Sequence, residues 1–287
     1  MKKLLLMTLI AFVHVTVLAQ DKAKQFKEAI PEVTPLTKLY KVTPQDSLFA
    51  DIYYPPNFKT GDKKPTIVFF FGGGWVGGNR DHFLGQSRYL ANKGMIAITV
   101  DYRIKKEHNT SPIEAMQDAR SAMRWVKANA DELGVDLEKL AAGGGSAGGH
   151  LAAITATLNQ FDAETDDKSI SCKPKLLVLF NPVIDTTPQG YGAEKMGKNQ
   201  KKASPVHHVK KGLPPTIIFH GTEDTTVPFE NVQRFERLMT KKGNVCELLA
   251  YEGQKHGFFN YRKGTEVYFE KTVKAMEEFL VKHGYLN

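Results

Sequence analysis

Ser146 stands among glycines in Gly144-Gly145-Ser146-Ala147-Gly148, a G-x-S-x-G pattern, and its flanks give the pattern meaning. An apolar run from Leu140 precedes it and an Ala-rich stretch, His150 to Leu158, follows. Strand, sharp turn and helix in that order lift a hydroxyl above a sheet and turn the next backbone N–H toward it. The N-terminus of the following helix favours negative charge, as a developing oxyanion needs. The bland alternative is a glycine turn in which Ser146 only caps the helix.

A serine hydroxyl is a weak nucleophile until a base takes its proton, so this chemistry requires a histidine and an orienting carboxylate downstream. Asp224 lies in His220-Gly221-Thr222-Glu223-Asp224, past the end of a predicted strand, with Glu223 as its neighbouring competitor. His256 lies in Gln254-Lys255-His256-Gly257-Phe258, on a loop after the last predicted strand. Read singly, Asp224 could be a turn cap and His256 a surface histidine; in the chain order Ser, Asp, His they form a set. Phe71-Gly72-Gly73-Gly74-Trp75 follows another strand, and its bare backbone lets N–H groups approach a substrate. The reaction these groups suit is two-step acyl transfer, which needs neither metal nor cofactor.

These residues must be carried by elements, and the chain supplies an α/β alternation. Strands are expected at Thr66 to Phe71, Met95 to Val100, Leu140 to Gly144, Leu176 to Phe180, Thr216 to His220 and Cys246 to Tyr251. They read as apolar on both faces, which suits a mostly parallel sheet covered by helices on both sides. Leu39 to Val42 and Leu48 to Tyr54 alternate more and read as an antiparallel edge hairpin. Ser111-Pro112-Ile113-Glu114 is a helix start with a capping box, followed by an Ala115, Ala119, Ala122, Val126 stripe. Two further stripes, Val232-Phe235-Leu238 and Phe269-Val273-Met276-Leu280, stop at Gly243 and Gly284. Residues 185–212 break the rhythm and read as a loop or small cap insertion within one catalytic domain, residues 39–287.

Taken together, Gly-Gly-Gly-Trp, Asp101-Tyr102-Arg103, Gly-Gly-Ser-Ala-Gly, His-Gly-Thr-Glu-Asp and Lys-His-Gly-Phe resemble the α/β-hydrolase superfamily of serine esterases over about residues 40–283. Within it the chain is similar to hormone-sensitive-lipase-like esterases and to secreted bacterial carbohydrate esterases that remove acetyl or feruloyl groups. The resemblance implies an α/β-hydrolase fold, Ser146 as nucleophile, His256 as base and Asp224 as its orienting acid, with Gly73, Gly74 and Ala147 donating N–H groups to the oxyanion. It also implies an ester substrate, a polysaccharide or oligosaccharide in the carbohydrate branch. The alternatives are a general short-chain carboxylesterase or lipase, a serine peptidase of the same fold, and an inactive binding scaffold. The lipase-like families carry histidine before the three glycines; this chain has Phe71, which cannot hydrogen-bond to hold the loop. Trp75 beside the loop either stacks on a sugar ring or lines an acyl pocket.

Residues 1–19 have the charged, apolar and small-residue layout of a cleavable signal peptide, with the cut expected after Ala19, followed by a lead-in over 20–38. The expected location is secreted or periplasmic, with no stable membrane insertion. Cys172 and Cys246 are the only cysteines, and their pairing stays open. The formal charge of the 287-residue chain is +8, of which Lys2 and Lys3 leave with the signal. The remaining +6 equals the six lysines between Lys195 and Lys211, a stretch without Asp or Glu. A basic balance confined to one loop does not suit a nucleic-acid groove, and predicts a preference for acidic polymers such as glucuronic-acid-bearing xylan if that loop borders the site.

Overall fold

The computed structural model describes residues 30–262 and 265–287, so the expected signal peptide and the first part of the lead-in lie outside the described residues. The apolar runs become β1 (Leu36–Val42), β2 (Ser47–Tyr53), β3 (Lys64–Phe70), β4 (Ile96–Val100), β5 (Val135–Gly145), β6 (Leu176–Phe180), β7 (Thr216–Gly221) and β8 (Cys246–Tyr251). They join in one sheet in the order β1-β2-β4-β3-β5-β6-β7-β8. β1 and β2 form the expected antiparallel edge hairpin, and β2 also runs antiparallel to β4. From β4 to β8 every neighbour is parallel, which places the C-terminal ends of these strands along one rim.

Parallel strands need crossovers, and the main ones are α1 (Leu84–Asn92), α2 (Pro112–Ala128), α3 (Ala147–Thr157), α4 (Phe229–Lys241) and α5 (Glu266–Lys282). The α/β-hydrolase fold follows from how they divide the core. Val68, Phe70, Ile98 and Leu179 face α2, α3 and α4, whereas Ile67, Phe69, Val178 and Phe219 face α1 and α5. Both faces of the central strands are dry, which is why their sequences read as unbroken apolar runs. Burying each such Val, Ile, Leu or Phe side chain contributes about 1.5–3 kcal/mol. α2 starts where the sequence places it: the Ser111 hydroxyl accepts from the Ile113 N–H, and the Glu114 carboxylate accepts from the Ser111 N–H at 2.9 Å. Beneath it, the Arg103 guanidinium donates twice to the fully buried Asp118 carboxylate, at 2.8 and 2.9 Å, and Lys41 joins at 2.7 Å.

Residues 185–212 form short helical turns at Ala193–Met196, Gly197–Asn199 and Pro205–His208. Met196, Ala203 and Val206 reach the core without a regular period, and polar contacts hold the turns between them. The buried Asp185 carboxylate accepts from the N–H and hydroxyl of Thr187, at 2.9 and 2.6 Å, and from Arg234 at 3.2 Å. Lys198, Lys201, Lys202, Lys210 and Lys211 extend into solvent, as a solvated basic segment should. Cys172 and Cys246 are both free thiols. Among the described residues no helix is long and apolar enough to cross a membrane.

Candidate active site

The nucleophile position is built by the turn from β5 into α3. Ser146 has φ 55° and ψ −119°, a strained geometry for a residue with a side chain. It is over-determined by its neighbours: the Ser146 N–H donates to the Phe180 carbonyl at 2.9 Å, and its carbonyl accepts from His150 and Val183 N–H groups at 3.0 and 3.1 Å. Gly148 is required for the crossing, since a Cβ there would stand 2.0 Å from the Phe70 carbonyl oxygen. The result is a hydroxyl held at the rim of the sheet, with the first N–H groups of α3 behind it.

The loops after β7 and β8 bring the other two predicted residues to it. His256 Nε2 lies 2.9 Å from Ser146 Oγ, and His256 Nδ1 lies 2.7 Å from Asp224 Oδ2. A carboxylate only accepts, so Nδ1 carries the imidazole proton and Nε2 presents its lone pair to the serine hydroxyl. Asp224 is fixed by its own turn, with Oδ1 accepting from the Thr226 and Val227 N–H groups at 2.9 Å each. Burial alone would raise its pKa, but bonds from His220, His256 and the Val227 N–H hold the carboxyl far below the usual range. Asp224 is buried and Glu223 is exposed, which decides between the two acids.

The sequence reading gave His220 no role, yet its Nε2 lies 3.0 Å from the Val227 carbonyl and 3.3 Å from Asp224 Oδ2. It donates to both and ties the acid's turn to the end of β7. Its place in the same short segment as Asp224 was the available signal.

The glycine loop after β3 closes the cleft. The Phe71 ring stacks on Tyr102 with centroids 4.0 Å apart, and the Tyr102 hydroxyl donates to the Phe71 carbonyl at 2.8 Å. Asp101-Tyr102-Arg103 thus buttresses the loop from below. From the other side His82, just before α1, accepts from the Gly72 N–H at 2.8 Å through Nδ1. A histidine therefore does hold this loop, although it comes from ten residues downstream of Gly72 rather than from position 71. Among the described residues no backbone carbonyl accepts from the N–H of Gly73 or Gly74. With the Ala147 N–H at the start of α3, these are the donors beside Ser146.

Gly73, Gly74, Ser146, Asn181, Tyr191 and His256 share one open cleft of about 260 Å³. Of the two roles expected for Trp75, sugar stacking is excluded: the residue is 1% exposed and packs against His150 and Tyr191, so no sugar ring reaches its face. Lys105 and Lys106 N–H groups bond to the carbonyls of Trp75 and Val76, which pulls that part of the chain inward. The aromatic that lines the cleft is the half-buried Tyr191. Lys195 donates to its hydroxyl at 2.9 Å, which leaves the tyrosine proton free for an acceptor. Of the six lysines in the basic segment, Lys195 is therefore the one beside the site.

Residues 50–239 match the BD-FAE family. Esterase LipC of Mycobacterium tuberculosis is 29% identical over 225 residues, which are 68% of this chain and 53% of that one, so the chain spans about half the length of this curated relative. Solved structures of Est2, a thermophilic esterase from Thermogutta terrifontis, are nearer in size. Its propionate-bound form is 43% identical, with a TM-score of 0.84 over 90% of this chain and 97% of that one. The butyrate-bound form is 42% identical, with a TM-score of 0.84 over 90% and 96%.

Proposed function

Since the chain belongs to the BD-FAE family, we propose that it is an exported serine carboxylesterase that removes short acyl groups, acetyl foremost, from plant polysaccharides or their oligosaccharides. The observation that carries the ester chemistry is the line Ser146 Oγ, His256 Nε2, His256 Nδ1, Asp224 Oδ2, with links of 2.9 and 2.7 Å beside two uncommitted glycine N–H groups. Ser146 attacks the ester carbonyl as His256 Nε2 takes its proton. The buried Asp224 carboxylate stabilises the imidazolium, and N–H groups of Gly73, Gly74 and Ala147 bond to the oxyanion. The imidazolium then protonates the departing alcohol, and water activated by His256 hydrolyses the acyl-enzyme.

The small cleft favours a short acyl group, and so does the binding of propionate and butyrate by Est2. A sugar as the alcohol rests on two supports: the expected export of the chain, and the Tyr191 hydroxyl at the cleft with the Lys195 ammonium bonded to it, which suit hydroxyl and carboxylate substituents. A release assay separates the possibilities, comparing acetylated glucuronoxylan, feruloylated arabinoxylan, p-nitrophenyl acetate and a long-chain triglyceride. The proposal expects acetate release from the xylan to exceed ferulate release and to fall with added salt. Preference for the triglyceride would overturn it, and activity confined to p-nitrophenyl esters would leave a general short-chain carboxylesterase.

A further inference from the structure

His82 does more than accept one bond. Its Nε2 lies 2.8 Å from Asn260 Oδ1, Asn260 Nδ2 lies 3.1 Å from the Gly257 carbonyl, and the Gly257 N–H donates to Asn181 Oδ1 at 2.9 Å. The direction of each link follows from the first. The Gly72 N–H can only donate, so Nδ1 is the bare nitrogen of a neutral ring and Nε2 carries the proton. Asn260 must then turn its oxygen toward His82, which leaves its NH₂ facing the carbonyl of Gly257. No bond in the series opposes another.

We propose that His82 and Asn260 are positioning residues that lock the Gly72–Gly74 donor loop to the loop carrying His256, so that oxyanion donors and base keep one fixed separation. Three observations support a dedicated role. Gly72 admits the imidazole, since a Cβ there would stand 2.9 Å from His82 Cε1 and 3.0 Å from the Gly145 carbonyl oxygen. The ring sits against Phe83 and Phe259, with centroids 5.0 and 5.8 Å away, which fixes its plane. Burial lowers the imidazole's pKa despite the opposing Asn260 bond, and so keeps the neutral form that the Gly72 bond requires. Protonation would set Nδ1–H against the Gly72 N–H, donor against donor.

The inference rests on the serine-esterase reading, and its test separates the two. Wild-type hydrolysis of p-nitrophenyl acetate tests the reading itself; the variants test the link. His82→Phe keeps an aromatic ring and removes both nitrogens. It should lower kcat about 10- to 100-fold, less than loss of an oxyanion donor outright, with KM changed by no more than about twofold. His82→Asn places Oδ1 where Nδ1 was and restores the acceptor for Gly72 but not the bond to Asn260, so it should recover only part of kcat. A His82→Phe kcat within about twofold of wild type, or full recovery of kcat in His82→Asn, which lacks the bond to Asn260, would overturn the proposal. Should His82→Phe not fold, Asn260→Asp is the second variant, since it keeps the acceptor for His82 but opposes a carboxylate to the Gly257 carbonyl; it must lower kcat at constant KM. A readout independent of catalysis is the ¹⁵N spectrum of imidazole-labelled protein. The His82 Nδ1 signal should be that of an unprotonated nitrogen at neutral pH, and a protonated Nδ1 would contradict the proposal whatever the enzyme does.

Discussion

Replacing His150 by phenylalanine should remove a large part of the protein's sensitivity to acid. His150 is fully buried on α3, one turn beyond Ser146, and its Nε2 bonds to the Ala203 carbonyl at 2.8 Å. A carbonyl only accepts, so Nε2 carries the proton and Nδ1 is bare; Nδ1 has no hydrogen-bond partner. Protonating it would place a charge and an unmatched N–H in the core, and burial pushes its pKa down from 6.5 to about 4. Between those values the unfolded chain binds the proton and the folded chain does not, so stability falls as pH falls. The linkage integral gives almost no loss at about pH 7.5, about 2 kcal/mol at pH 5 and about 3 kcal/mol at pH 4. Phenylalanine cannot titrate, although it leaves the Ala203 carbonyl unmatched at a cost of about 1–3 kcal/mol at every pH. Urea unfolding of both proteins at several pH values separates the two effects, because the other histidines cancel in the difference. The stability gap should narrow by about 2 kcal/mol from pH 7.5 to pH 5. A gap that stays constant would show that His150 is not held neutral by burial.

Asp224→Asn should leave the turn intact, because its oxygen still accepts from Thr226 and Val227, but its NH₂ would face His256 Nδ1 and force the proton onto Nε2. With the base in the wrong tautomer, kcat for p-nitrophenyl acetate should drop about 10⁴-fold. Gly148→Ala places a methyl 2.0 Å from the Phe70 carbonyl and should lower both activity and the melting temperature, the latter by about 5–10 °C in a thermal scan. Asp118→Asn leaves Arg103 and Lys41 without their buried counter-charge and should cost about 3–5 kcal/mol in urea unfolding.

What could be read from the sequence follows the physics of each element. β3, β4, β6 and β7 start and end within two residues of expectation because burial on both faces writes them as apolar runs, and the half-buried edge strand β8 matches its expected bounds. β5 begins earlier than expected, at Val135, because Asp136 to Lys139 is polar and its pairing with β3 shifts register between Lys64 and Thr66. The segment over residues 185–212 looked structureless because Asp185, Thr187 and Ser204 pack it through hydrogen bonds, which leave no hydrophobic period. The three site residues were legible because a nucleophile, an acid and a base each need a strand end followed by a turn. His82 was not, since its partners are a backbone N–H ten residues earlier and a side chain 178 residues later. The missing histidine at position 71 was the hint, because a donor loop needs some anchor. Trp75 misled because an aromatic beside a glycine loop looks the same in sequence whether its ring faces solvent or α3.

The central claim is that Ser146, activated by His256 and Asp224, is the nucleophile. The most direct measurement is to react the purified protein with a fluorophosphonate probe, which labels activated serines, and to map the adduct by peptide mass spectrometry. One adduct per chain on Ser146, absent from Ser146→Ala together with all hydrolysis of p-nitrophenyl acetate, is the predicted result. An adduct on another residue, or hydrolysis that survives in Ser146→Ala, would contradict it.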